Sequence, residues 1–126
     1  MGFYNNNMSD EHVLQVVVET PEFIRKAGGC MDNDARISFI NYIAANPEAG
    51  KIMTGTGGAR KIRWVSDDRS GKRGGVRVVY YHHNSSIPIF LFTVYPKNEK
   101  DNLAKADRNA LKLIIKQLIK AYEDSL

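Results

Sequence analysis

The sequence predicts a small single α+β domain: an antiparallel twisted sheet, made of an N-terminal strand plus a three-strand meander, packed on two N-terminal helices and a C-terminal helix. Three observations lead there. A β-branched run, Val16-Val17-Val18, is followed at once by a helix-start signal, Thr20-Pro21. Three strand-like segments are then spaced by glycine, asparagine and serine turns. The chain closes on a segment with helical period, in which Leu111, Ile114, Ile115, Leu118 and Tyr122 fall at i, i+3, i+4, i+7 and i+11. With 126 residues, of which 43% are apolar and 25% charged, the chain suits one globular core and offers no apolar run long enough for a membrane helix.

Each element has its own local reason. Residues 1–11 are polar, Asn-rich and without period, and read as a disordered leader before a domain spanning 12–126. Val13 to Glu19 reads as a strand. Thr20 caps a short helix that starts at Pro21 and is expected to end at Gly28-Gly29. A second helix, capped by Asp32 or Asn33, should run to Ala45 with Phe39, Ile40 and Ile43 buried, and Asn46, Pro47 and Gly50 stop it. The meander is read as Arg60 to Val65, Gly75 to His83 and Ile87 to Tyr95. Asn84-Ser85-Ser86 makes a hairpin loop between the last two strands, and Ser66 to Gly74 a mobile basic loop between the first two. The terminal helix should span Lys105 to Asp124.

Charge is unevenly placed. Residues 51–100 hold ten of the eighteen Lys and Arg against three acids, a balance of +7 in a chain whose total is +4. Strand alternation puts Ile62, Trp64, Val76, Val78 and Tyr80 on one face, against the helices, and Lys61, Arg63 and Arg77 together on the other, which is expected to be open. Clustered cations repel, and a phosphate is the natural group to offset them. Lysines 112, 116 and 120 on the last helix read as a solvated stripe.

Other chemistries fit poorly. His82 and His83 are successive strand residues pointing to opposite faces, so no metal site is expected. Gly50-Lys51 has Ala45 and Ile52 where a P-loop needs glycine and Ser or Thr, and Gly55-Thr56-Gly57 has Arg60 where a dinucleotide loop needs its third glycine. Cys30 is a single thiol with no base placed beside it. No cofactor is implied. The N-terminus lacks the basic start and apolar stretch of a secretory signal, and a cytoplasmic protein is expected.

Taken as a set, GTGGARKIRW (55–64), GKRGGVRVVYYH (71–82) and LFTVYPKNEKDNL (91–103), followed by a lysine-rich helix, resemble the RelE/HigB toxins of bacterial type II toxin-antitoxin modules, the HigB-like branch in particular. That resemblance covers about residues 13–123. It implies a ribosome-dependent, metal-independent endoribonuclease that cuts messenger RNA and stops translation, held silent by a cognate antitoxin. By motif, Lys61 and Arg63 stand where the family has two strand cations, one tied to deprotonation and one to charge stabilisation. Arg77 stands at the phosphate-binding arginine, and Lys97 near the basic residue assigned as general acid. Because a guanidinium does not release its proton, Lys61 is the better base of the strand pair. Arg60, Lys72, Arg73, Tyr81, Tyr95 and Lys100 are the further candidates for contact with RNA. Leu103 replaces a tyrosine that some members use, so Tyr95 or Tyr81 would have to supply any stacking. The alternative is a non-catalytic module that binds nucleic acid or antitoxin on the same fold.

Overall fold

A computed structural model describes residues 14–67, 75–99 and 103–125. The expected leader, the first residue of the N-terminal strand, residues 68–74 of the basic loop with Lys72 and Arg73, and Lys100 lie outside these residues. The element order is β1 (Val17–Glu19), α1 (Pro21–Cys30), α2 (Asn33–Ala45), β2 (Lys51–Ile52), β3 (Arg60–Trp64), β4 (Val76–Tyr81), β5 (Ile89–Pro96) and α3 (Lys105–Asp124). The domain is α+β as expected, but its sheet is mixed and has five strands, in the order β1-β5-β4-β3-β2. β1 joins β5 in parallel, and the other pairings are antiparallel. Helices α1 and α2 and strands β2–β4 all lie between the two parallel strands, the long return that a parallel partner requires. β2 is only two residues long, too short to carry a pattern that the sequence could show.

Local signals set most boundaries. The Thr20 hydroxyl accepts from the Phe23 N–H at 3.3 Å and donates to the Leu91 carbonyl at 2.8 Å, so one side chain caps α1 and ties it to β5. Asp32 caps α2 through the Ala35 N–H at 2.7 Å. The expected stop at Gly28-Gly29 does not occur: α1 runs through both to Cys30. Glycine in a helix costs about 1 kcal/mol relative to alanine. Phe23 and Ala27, both buried on this helix, supply the packing that outweighs it.

The sheet has a core on each side. On the first, α1 and α2 bring Phe23, Ala35, Phe39 and Ile43 against Val76, Val78, Tyr80, Ile89 and Leu91, with Ile62 and Trp64 half-buried at the margin. Phe39 meets the Trp64 ring edge-on at 5.3 Å, and the Trp64 indole N–H donates to the Ala35 carbonyl at 3.2 Å. This is the face that alternation assigned to the helices. On the second side, α3 sets Leu111 and Ile115 over Val79, Tyr81, Phe90, Phe92 and Tyr95. The expectation that this face stays open is therefore corrected: α3 covers the β4–β5 part of it. Opposite β4, the register slips between Val79 and Tyr80, because Val79 pairs with Thr93 while Tyr80 pairs with Leu91. The extra residue, Phe92, joins the core under α3, as a bulge allows.

Candidate nucleic-acid interface

Cross-strand register assembles the basic group. Arg63 stands directly opposite Arg77, and Arg77 opposite Tyr95, which makes one row across β3, β4 and β5. The next row places Lys51 opposite Lys61, Lys61 opposite Val79 and Val79 opposite Thr93. Val79 is in the core under α3, so both rows belong to the α3 side of the sheet. Directly opposed residues have Cβ atoms roughly 4.5–5.5 Å apart, a spacing at which like charges destabilise a strand pair. Arg63 is exposed, Lys61 and Arg77 are half-buried, and Lys97 is half-buried just beyond the end of β5. The Lys97 N–H donates to the Gly75 carbonyl at 2.9 Å, two residues before Arg77. Lys61, Arg63, Arg77 and the Lys97 backbone thus gather on the β3–β4–β5 part of the sheet, and Arg63, Arg77 and Lys97 all lie at the end where β3 stops and β4 starts.

Arg60 is placed elsewhere. Its register partner is the buried Tyr80, on the α1–α2 side, and its guanidinium donates to the carbonyls of Gly50 at 2.8 Å and Glu48 at 3.1 Å. The Tyr80 hydroxyl completes that knot, donating to the Pro47 carbonyl at 2.9 Å and accepting from the Gly50 N–H at 2.8 Å. A β-carbon on Gly50 would come within 2.8 Å of the Tyr80 ring, so the close approach requires glycine. Burial pushes the Tyr80 phenol above its ordinary range, with the Gly50 N–H opposing.

The two tyrosines expected to stack on RNA are core residues. Tyr81 is 6% exposed and Tyr95 2%, both under α3, and burial raises the Tyr81 phenol. Leu103, 7% exposed, joins them in the same core. The ring faces are used for packing because alternation puts both tyrosines on the side that α3 covers. His83 sits 2.8 Å from the Tyr81 hydroxyl through Nδ1, while burial, Arg60 and His83 lower the basicity of His82 and Glu48 opposes them. No group of three His, Cys, Asp or Glu among the described residues could hold a metal ion.

The glycine-rich stretch between β2 and β3 has a role that no sequence motif announces. Thr56 is fully buried, with its hydroxyl donating to the Met53 carbonyl at 2.7 Å and accepting from the Ala59 N–H at 3.0 Å. Gly57 and Gly58 have φ of 77° and 113°, a region L-residues avoid, and bring the backbone against Lys112 of α3 and the Tyr81 ring respectively. Arg108 of α3 locks the contact by donating to the Thr54 carbonyl at 2.7 Å and, through Nε, to the Leu103 carbonyl at 3.2 Å. This loop is a dock for α3. It gives the helix two unlike flanks. The 108–112–116 side faces the glycine loop, and the other side, with Ala110, Ile114 and Leu118, lines a groove of about 540 Å³ toward Val18, Pro21 and Phe92. Ile114, expected in the buried stripe, is 42% exposed because it opens onto that groove.

Among the described residues no helix is long and apolar enough to cross a membrane. No family model matches the chain. Among solved structures, the chain is similar to a double arginine-to-alanine variant of the Escherichia coli toxin RelE in the free state, with a TM-score of 0.49 and 17% identity, over 70% of this chain and 88% of that one.

Proposed function

We propose that this chain is an RNA-cleaving toxin of the RelE/HigB-like class, which cuts messenger RNA on the ribosome without a metal ion and is restrained by an antitoxin encoded with it. The observation that carries the reading is the cross-strand pairing of Arg63 with Arg77, with Lys61 in the next row of the same face. Two opposed guanidiniums cost stability in a bare sheet and suit a site that receives phosphate.

Cleavage of RNA by its own ribose needs three services. The 2′-hydroxyl must lose its proton as its oxygen attacks the adjacent phosphorus, the five-coordinate phosphorane must have its charge neutralised, and the departing 5′-oxygen must gain a proton. In this reading the Lys61 amine takes the proton and the new 2′-O–P bond forms. Arg77 and Arg63 hold the phosphorane oxygens. The P–O5′ bond breaks toward Lys97, whose ammonium supplies the proton, and the products are a 2′,3′-cyclic phosphate and a free 5′-hydroxyl. Arg77 suits the phosphate because its planar fork can contact two oxygens at once. Being half-buried, it holds that fork in less water than a surface lysine would.

Purified chain added to programmed ribosomes, followed by mapping of the 5′ ends of the message, tests the reading. New ends carrying a 5′-hydroxyl, formed with chelator present and without any other added protein, are the expected result. Ribosome association with an intact message would instead identify the non-catalytic binding module, and would overturn the nuclease reading.

A further inference from the structure

The basic surface does not stop at the sheet. Lys51 pairs in register with Lys61, is exposed, and carries the cation row to the outer edge of the sheet at β2. Next to that edge is the glycine loop, and on the loop lies the flank of α3 that bears Lys112 and Lys116. A β-carbon on Gly57 would stand 3.4 Å from Cγ and 3.5 Å from Cα of Lys112, so this flank lies against the loop that joins β2 to β3. Lys116 follows one turn on, about 6 Å along the helix axis.

The charges on this flank differ in what they already do. Arg108 is committed to two carbonyls and Lys120 to Asp124 at 3.1 Å. Lys112 and Lys116 are exposed and enter no ion pair among the described residues. Asp107, by contrast, lies with Glu19 and Glu22 on the groove at the other flank. Lys112 and Lys116 thus stand on a different flank of α3 from the one that lines the groove. The Lys112 flank rests on the glycine loop that leads into β3, the strand of the basic row.

We propose that Lys112 and Lys116 form, with Lys51, a second phosphate track that holds the RNA strand flanking the scissile phosphate. The proposal rests on the assignment of RNA as the substrate. The glycine loop is the bridge: its backbone lets α3 come close enough to the strand cations for one strand of RNA to touch both. The lysines act as point charges on the backbone and carry no sequence information, so they set affinity and register and leave sequence choice to the cleavage site.

Anisotropy of a short, fluorescein-labelled, uniformly 2′-O-methylated single-stranded RNA, which cannot be cleaved, measures this track apart from catalysis. Each lost phosphate contact on a single strand lowers the slope of log affinity against log salt by about 0.7. Lys112→Gln with Lys116→Gln should therefore lower it by about 1.4 and weaken binding by on the order of tenfold at about 50 mM salt. Lys26→Gln, in the groove at the opposite flank of α3, should change neither. If Lys112→Gln loosens the loop and lowers the melting temperature, Lys116→Gln alone must still lower the slope by about 0.7. An unchanged slope in the double variant, an equal loss in Lys26→Gln, or no binding by the wild-type chain would overturn the track. Ribosomal cleavage by the wild type reports separately on the nuclease reading: a chain that cuts but keeps its slope on substitution refutes the track alone, and one that loses slope as expected but never cuts refutes only the nuclease.

Discussion

Arg60 and Arg63 lie three residues apart on one strand and have opposite fates. Arg60 faces the side sealed by α1 and α2, where its guanidinium is used up on the carbonyls of Glu48 and Gly50. Arg63 faces the side that α3 covers only in part, and it stands exposed in register with Arg77. The same contrast holds for the two faces as wholes. One is filled with Phe39, Ile43, Tyr80 and Leu91; the other is apolar under α3 and basic beyond it. Charge in this segment is therefore of two kinds: Arg60 is bonded to backbone carbonyls on one side, and Arg63 stands exposed on the other. A count of lysines and arginines cannot separate them, whereas strand alternation followed by a hydrogen-bond inventory can.

The most severe way to break the sealed face is Phe39→Ala. Phe39 is fully buried and in contact with Trp64, so the variant should lose about 3–5 kcal/mol of stability, read from denaturant unfolding. A loss under about 1 kcal/mol would mean that α2 does not pack as described. Arg60→Ala is milder. Removing a charged donor from two carbonyls should cost about 1.5 kcal/mol, the low end of the range because Arg60 is only half-buried. RNA cleavage per folded molecule should be unchanged, and a loss of rate without loss of stability would move Arg60 into the site.

The pH dependence of the sealed edge should be smaller still. Burial is the main cause that holds His82 below the ordinary histidine value of 6.5. The unfolded chain then binds this proton more readily than the folded one. The His82 contribution is present above pH 6.5 and is lost as pH falls through the lower folded value. Melting temperatures should decline from pH 6.5 downward, and His82→Gln should flatten part of that decline. An identical pH profile in the variant would remove His82 from the account.

How far the sequence could be read follows from the range of each force. Helix α3 matched its expected ends because its period and its flanks are local. Thr20 and Asp32 announced their helices for the same reason, and the sorting of Trp64 and Tyr80 from Arg63 and Arg77 needed only the two-residue period of a strand. What alternation could not say was that α3 would fold back over Val79 and Tyr81. That depends on a dock some fifty residues upstream, in which Thr56, Gly57 and Gly58 look like an ordinary turn until Lys112 and Arg108 arrive. Without that one contact the sequence leaves Tyr81 and Tyr95 as stacking candidates. Gly28-Gly29 misled in the opposite direction, since a local helix-breaking signal was outweighed by the burial of Phe23 and Ala27. β2 is two residues held by pairing with Arg60 and Lys61, and a segment so short has no period to show.

Arg77 tests the central claim most directly, because it is the basic residue whose role differs most between a structural and a catalytic account. Single-turnover cleavage on programmed ribosomes should be measured for the wild type, Arg77→Ala and Arg77→Lys, with a melting curve for each. The account predicts a near wild-type melting temperature for Arg77→Ala and a rate lower by on the order of a hundredfold to a thousandfold, equivalent to about 2.7–4 kcal/mol of transition-state stabilisation. Arg77→Lys should recover only part of the rate, since a point charge cannot make the two-oxygen contact. A well-folded Arg77→Ala protein that cuts at the wild-type rate would contradict the claim, as would a collapse of its melting temperature, which would make Arg77 a structural residue like Arg60.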